Sequence, residues 1–99
     1  MDSKPFIVAG IPAYNEERSI ARVIVKAMNY VDRVIVCDDG STDMTGEIAE
    51  RLGAEVIRHE RNMGYGAALA SLFRRAREAD AVSHGGYTVS PSKRCKRGN

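Results

Sequence analysis

Apolar residues in the first 78 positions alternate between short solid blocks and stripes at helical spacing. Phe6–Ile11 is an apolar run flanked by Pro5 and Pro12, the pattern of a buried strand. Ile20, Val23, Ile24, Ala27 and Met28 then recur at a helical period. Ahead of them, Asn15 offers an N-cap, with Glu16 and Glu17 as acidic first-turn residues. Arg33–Cys37 reads as a second apolar strand. Strand, helix and strand in about thirty residues make a βαβ unit, so the two strands should lie parallel and adjacent with a right-handed crossover.

Asp38–Thr42 interrupts the second strand with turn-forming residues. Thr42 or Asp43 is the expected cap of a second helix, with Met44, Ile48, Ala49 and Leu52 facing inward. Gly53 should end it at the position that favours a left-handed backbone. Ala54–Arg58 is a third, shorter strand. A loop with Asn62, Gly64 and Gly66 leads to a third helix over roughly 65–78, striped by Ala68, Leu69, Leu72, Phe73 and Ala76. The predicted order β-α-β-α-β-α implies a three-layer α/β fold on a mainly parallel sheet, Rossmann-like in form. Residues 1–82 are expected to form this domain. Residues 83–99, without periodicity and basic at the end, are expected to form a disordered tail.

Ninety-nine residues suffice for one small domain. Between Asp2 and Asp80 stand all thirteen acidic residues and eleven Lys and Arg, a body charge of −2 that does not mark a nucleic-acid surface. Lys93, Arg94, Lys96 and Arg97 turn the whole chain to +2 and leave weak contact with an anionic membrane as a role for the tail. The start of the chain lacks the apolar stretch of a secretory signal, so the expected address is cytoplasmic, at most peripheral to a membrane. Cys37, closing an apolar strand, reads as a buried thiol, and Cys95 as an exposed bystander. His59 and His84 have no Cys or His partner at metal-ligand spacing, and no metal or catalytic residue is assigned.

In an open parallel sheet, ligands bind beyond the carboxyl ends of the strands. Two strands end here in Ile11-Pro-Ala-Tyr-Asn-Glu-Glu17 and Cys37-Asp-Asp-Gly-Ser-Thr-Asp43. Parallel pairing joins the ring of Tyr14 to several carboxylates in one crevice. An aromatic face suits a base, and a carboxylate suits a ring N–H or a ribose hydroxyl. Carboxylates repel phosphate, so the base-and-ribose role is favoured over a phosphate role. The Walker A and dinucleotide glycine patterns are absent. Taken alone, Asp38–Ser41 is also a plausible tight turn, and Arg61, Asn62 and Gly64 read equally as a helix-entry loop or as part of the site.

These two segments, followed by Arg61-Asn-Met-Gly-Tyr-Gly-Ala-Ala-Leu69, resemble the family-2 glycosyltransferases of GT-A fold, and among them the dolichyl-phosphate mannose or glucose synthase group. The resemblance covers residues 6–78. It implies a nucleotide-diphospho-sugar donor, UDP- or GDP-linked, with Pro12, Ala13, Tyr14 and Glu16 bordering base and ribose. Cys37 and Asp39 would form the base-contacting pair, Asp39 accepting the imino N–H, and Asp38 would support the turn. The family reaction is inverting transfer to a polyprenyl phosphate or glycan, with Mg²⁺ or Mn²⁺ on the diphosphate. Family members continue with another strand and an Asp-x-Asp metal motif. Here Ala79–Val82 reads as the start of that strand, but neither Asp nor Glu follows Asp80, so no cofactor site is expected within the chain and it is not expected to transfer sugar alone. The abrupt change leaves the tail as a frame-shift or truncation product or as a genuine basic arm. A second functional reading is a noncatalytic module that forms homo-oligomers through an exposed sheet edge.

Overall fold

A computed structural model describes residues 5–83 and 88–89. The elements are β1 (Val8–Ala13), α1 (Ile20–Met28), β2 (Arg33–Asp38), α2 (Thr45–Arg51), β3 (Glu55–Arg58), α3 (Tyr65–Ser83) and β4 (Thr88–Val89). The four strands form one parallel sheet in the order β3-β2-β1-β4. β1 and β2 are adjacent along their full length, from Val8 opposite Arg33 to Ala13 opposite Asp38.

The three layers follow from the two-residue period of the strands. Ile11, Ala13, Val34 and Val36 face α1 and α2, packing on Ile20, Ile24 and Ala49. Val8, Ile35 and Cys37 face the other way, against Ala68 and Leu72 of α3. Each fully buried isoleucine or leucine in these cores is worth about 1.5–3 kcal/mol of transfer free energy. α3 packs directly over Gly10, where a Cβ would meet Leu72 at an ordinary contact distance of 3.4 Å.

Several expectations are corrected. α1 begins at Ile20, not just after Asn15, because Asn15 has a left-handed backbone (φ 50°) and spends its side chain on Thr42. Thr42 therefore caps nothing. Asp43 instead accepts the Thr45 N–H at 3.0 Å and the Thr45 hydroxyl. Met28, Met44 and Phe73, expected inside, are exposed by 39%, 50% and 44%. On α3 the buried arc runs through Ala68, Ser71, Leu72 and Ala76, which leaves Phe73 about 125° off its centre. Ala79–Val82 extends α3 instead of starting a strand, because no Gly or Pro interrupts the helix between Ala67 and Ser83. The added parallel strand comes later, where β-branched Thr88 and Val89 pair with Ala9 and Gly10. The remainder of the expected tail, including Lys93–Arg97 and His84, lies outside the described residues. Among the described residues, no helix is long and apolar enough to cross a membrane.

α2 ends as its sequence requires. Gly53 has φ +96°, its N–H bonds Glu50 O, and Ala54 N–H reaches back to Ala49 O, the paired bonds of a Schellman motif.

Candidate functional site

Because all strands run the same way, the exits of β1, β2 and β3 share one edge, and the loops 14–19, 39–44 and 59–64 meet there. The first two are stitched together by side chains. Asp39 N–H donates to Ala13 O at 2.9 Å, and Asn15 N–H to Ser41 Oγ at 2.8 Å. Asn15 Oδ1 accepts from Thr42 N–H at 2.8 Å, and Glu16 N–H donates to Thr45 Oγ1 at 2.8 Å. Glu17 and Asp43 exchange roles across the gap. Glu17 N–H donates to Asp43 Oδ2, while Met44 N–H donates to Glu17 Oε1. Burial works to raise the Asp43 pKa, but hydrogen bonds from the Thr45 hydroxyl and from the Thr45 and Glu17 N–H groups outweigh it and hold that pKa below its ordinary value.

The second and third loops are joined through Asp39. Its Oδ1 accepts from His59 Nδ1 at 2.7 Å and Met63 N–H at 2.9 Å. Its Oδ2 accepts from Gly64 N–H at 2.9 Å and the Asn62 amide at 3.2 Å. A carboxylate offers about four lone-pair directions, and here four donors from within the chain take them. Asp39 is therefore not the open acceptor expected from sequence; in this structure it organises the loop after β3. Gly40 (φ +79°) sits beneath that loop, where a Cβ would fall 2.3 Å from the Arg61 carbonyl carbon.

Asp38 bonds the turn through its side chain, its Oδ1 accepting the Ser41 N–H at 3.0 Å. Gly46 gives it room, since a Cβ there would come within 2.5 Å of Asp38 Oδ2 and 2.9 Å of Arg58 Cζ. Cys37 is wholly buried on the α3 side, with its sulfur 3.6 Å from His59 Nε2, so it cannot touch a ligand in this arrangement. Burial, with the Asp39 and Asp38 charges adding to it, pushes its thiol pKa up to about 12. Pro12, Ala13, Glu16, Asp38 and Asp39 are buried as well. The sequence-derived site residues thus do come together at one edge, but six of the seven build its wall. Tyr14, exposed by 36%, presents a ring.

Asn15 beside Tyr14, and Arg61, Asn62, Met63 and Tyr65 after β3, are exposed as well. His59, which the sequence gave no role, links Asp39 to Ser71 and Cys37. The available signal was positional: His59 follows β3 as Asp39 follows β2. Among the described residues, no group of three or more His, Cys, Asp or Glu is placed to hold a metal ion. A cavity of about 470 Å³, lined by Met28, Val31, Asp32, Gly53 and Glu55 among others, opens at the opposite, amino-terminal edge of the strands. Strand direction argues for the carboxyl edge as the ligand site all the same.

A three-layer α/β domain with turn-rich loops gathered at the carboxyl edge of β1 and β2 is the architecture of the nucleotide-binding half of a GT-A fold. Residues 9–81 match the profile of Glycosyl transferase family 2, and the chain belongs to that family. It is 44% identical over 62 residues to a dolichyl-phosphate hexose transferase of Haloferax volcanii, covering 57% of this chain and 25% of that protein. It is 35% identical over 89 residues to a UDP-N-acetylglucosamine–dolichyl-phosphate N-acetylglucosaminyltransferase of Methanococcus voltae, covering 72% and 36%. Among solved structures, it is similar to the glucosyl-3-phosphoglycerate synthase of Mycobacterium tuberculosis in complex with Mn²⁺, UDP and glucosyl-3-phosphoglycerate. That match has a TM-score of 0.65 and 33% identity, and covers 89% of this chain and 33% of the synthase. The chain thus spans about a quarter to a third of the length of these relatives.

Proposed function

We propose that this chain binds a nucleotide-diphospho-sugar at the carboxyl edge of β1 and β2, with Tyr14 against the base. The observation that carries the reading is the register of the two strands. Ala13 stands opposite Asp38, and the Asp39 N–H closes onto Ala13 O, so the Tyr14 loop and the Asp38–Ser41 turn form one continuous rim. Pro12, Ala13, Glu16, Cys37, Asp38 and Asp39 hold that rim in shape. The UDP in the mycobacterial synthase complex supports a nucleoside diphosphate as the ligand class.

For the whole protein we propose inverting transfer of a hexosyl group to a polyprenyl phosphate, the acceptor class named in its archaeal relatives. An acceptor oxygen attacks the anomeric carbon, and the bonding pair of the broken C–O bond leaves with the nucleoside diphosphate. The Mn²⁺ in the synthase complex supports a divalent cation on the diphosphate in the whole protein, and among the described residues no group of three or more His, Cys, Asp or Glu is placed to hold it.

Calorimetry with UDP- and GDP-sugars tests the binding. Tyr14→Ala should weaken it by about tenfold, the order of one aromatic–base stacking contact. Equal affinity in wild type and variant would remove Tyr14 from the site. Homo-oligomerisation through a bare sheet edge has less support: β4 occupies β1 at Ala9 and Gly10, and the β3 edge carries Arg33–Glu55, Arg75–Glu55 and Arg58–Glu50 ion pairs. We also propose weak anionic-lipid contact through the clustered charges of Lys93, Arg94, Lys96 and Arg97, and a cytoplasmic, membrane-peripheral location.

A further inference from the structure

Four polar side chains form a hydrogen-bonded chain beneath the carboxyl edge of the strands. Asp39, as a carboxylate, can only accept, so His59 Nδ1 must carry the proton of the 2.7 Å bond between them. The other ring nitrogen, Nε2, shares a hydrogen bond with Ser71 Oγ at 2.9 Å. Ser71 in turn accepts from Arg74 at 3.3 Å. His59 and Ser71 are largely buried, between the β3 exit and α3, and no buried side-chain nitrogen or oxygen among the described residues lacks a partner. The chain ends on Asp39, whose remaining lone pairs take the Met63 and Gly64 N–H groups and the Asn62 amide.

We infer that His59 is a positioning residue for nucleotide binding, acting through Asp39. It fixes the carboxylate so that the Met63 and Gly64 amides dock and the Arg61–Asn62 backbone settles over Gly40. The rim around Tyr14 is set by this clasp, and His59 itself touches no ligand. The consequence for binding rests on the nucleotide reading above; the clasp does not.

The test uses the full chain as wild type, His59→Leu and His59→Asn, the last keeping an amide donor near the position of Nδ1. Amide hydrogen exchange and UDP calorimetry are measured on each. In His59→Leu the Met63 and Gly64 amides should exchange at least about tenfold faster while Ile35 in β2 is unchanged, and UDP affinity should fall about tenfold. His59→Asn should restore both to within about threefold of wild type. A leucine variant with wild-type protection at Met63 and Gly64 would overturn the inference, as would an asparagine variant no better than leucine. Failure of wild type to bind UDP would sink the nucleotide reading and leave the exchange result to decide the clasp. Should the leucine variant fail to fold, ¹⁵N spectra of the wild-type ring decide instead: a proton on Nδ1 is expected, and a ring protonated at Nε2 alone would refute the inference.

Discussion

At the residue scale, the strongest constraint sits on Asp39. Replacing it with Asn turns one acceptor into a donor facing other donors, in a site only 3% exposed. The cost of leaving buried partners unsatisfied is about 1–3 kcal/mol each. Asp39→Asn should therefore lose about 3 kcal/mol or more of unfolding free energy in urea, a loss that Tyr14→Ala should not share. Equal stability of wild type and Asp39→Asn would mean that the carboxylate does not hold the loop. Cys37 gives a second residue-scale prediction. Its thiol pKa is raised in the folded state to about 12, so the unfolded chain ionises first as pH rises. The stabilisation is complete below the ordinary thiol pKa and lost progressively up to about 12. Urea unfolding should show a steeper decline between about pH 9 and the onset of general alkaline unfolding in wild type than in Cys37→Ala. Parallel declines would contradict the burial argument.

At the element scale, most of the fold is readable because each strand is a solid apolar block and each helix repeats its apolar positions. Gly53 was legible for a local reason, since the Schellman end needs a left-handed residue and glycine supplies it. Gly53→Ala should cost about 1 kcal/mol in thermal or urea unfolding; a neutral change would mean the helix end relaxes. What sequence could not deliver is long-range. Asn15 looked like a cap, but its side chain bonds Thr42, 27 residues on, and this delays α1 to Ile20. Asp39 looked available because its donors lie 20 to 25 residues away in a loop with no periodicity. Ala79–Val82 is short and apolar enough to suit either a strand or a helix, and continuity with α3 decides it.

At the scale of the whole molecule, the juxtaposition of Tyr14 with the Asp38–Ser41 turn was legible, because parallel neighbours joined by a right-handed crossover must place both exits on one edge. Which side chains face outward on that edge was not, since burial there depends on three loops closing together. The chain belongs to Glycosyl transferase family 2, and its own residues are arranged around a rim on which Tyr14 presents an exposed ring. The most direct test of that account is a ¹⁵N amide titration of the chain with UDP. Shifts should concentrate at Ala13–Glu16 and Asp39–Ser41, on the carboxyl edge. Shifts confined to Met28, Gly53 and Glu55 on the opposite edge, or none at all, would contradict it.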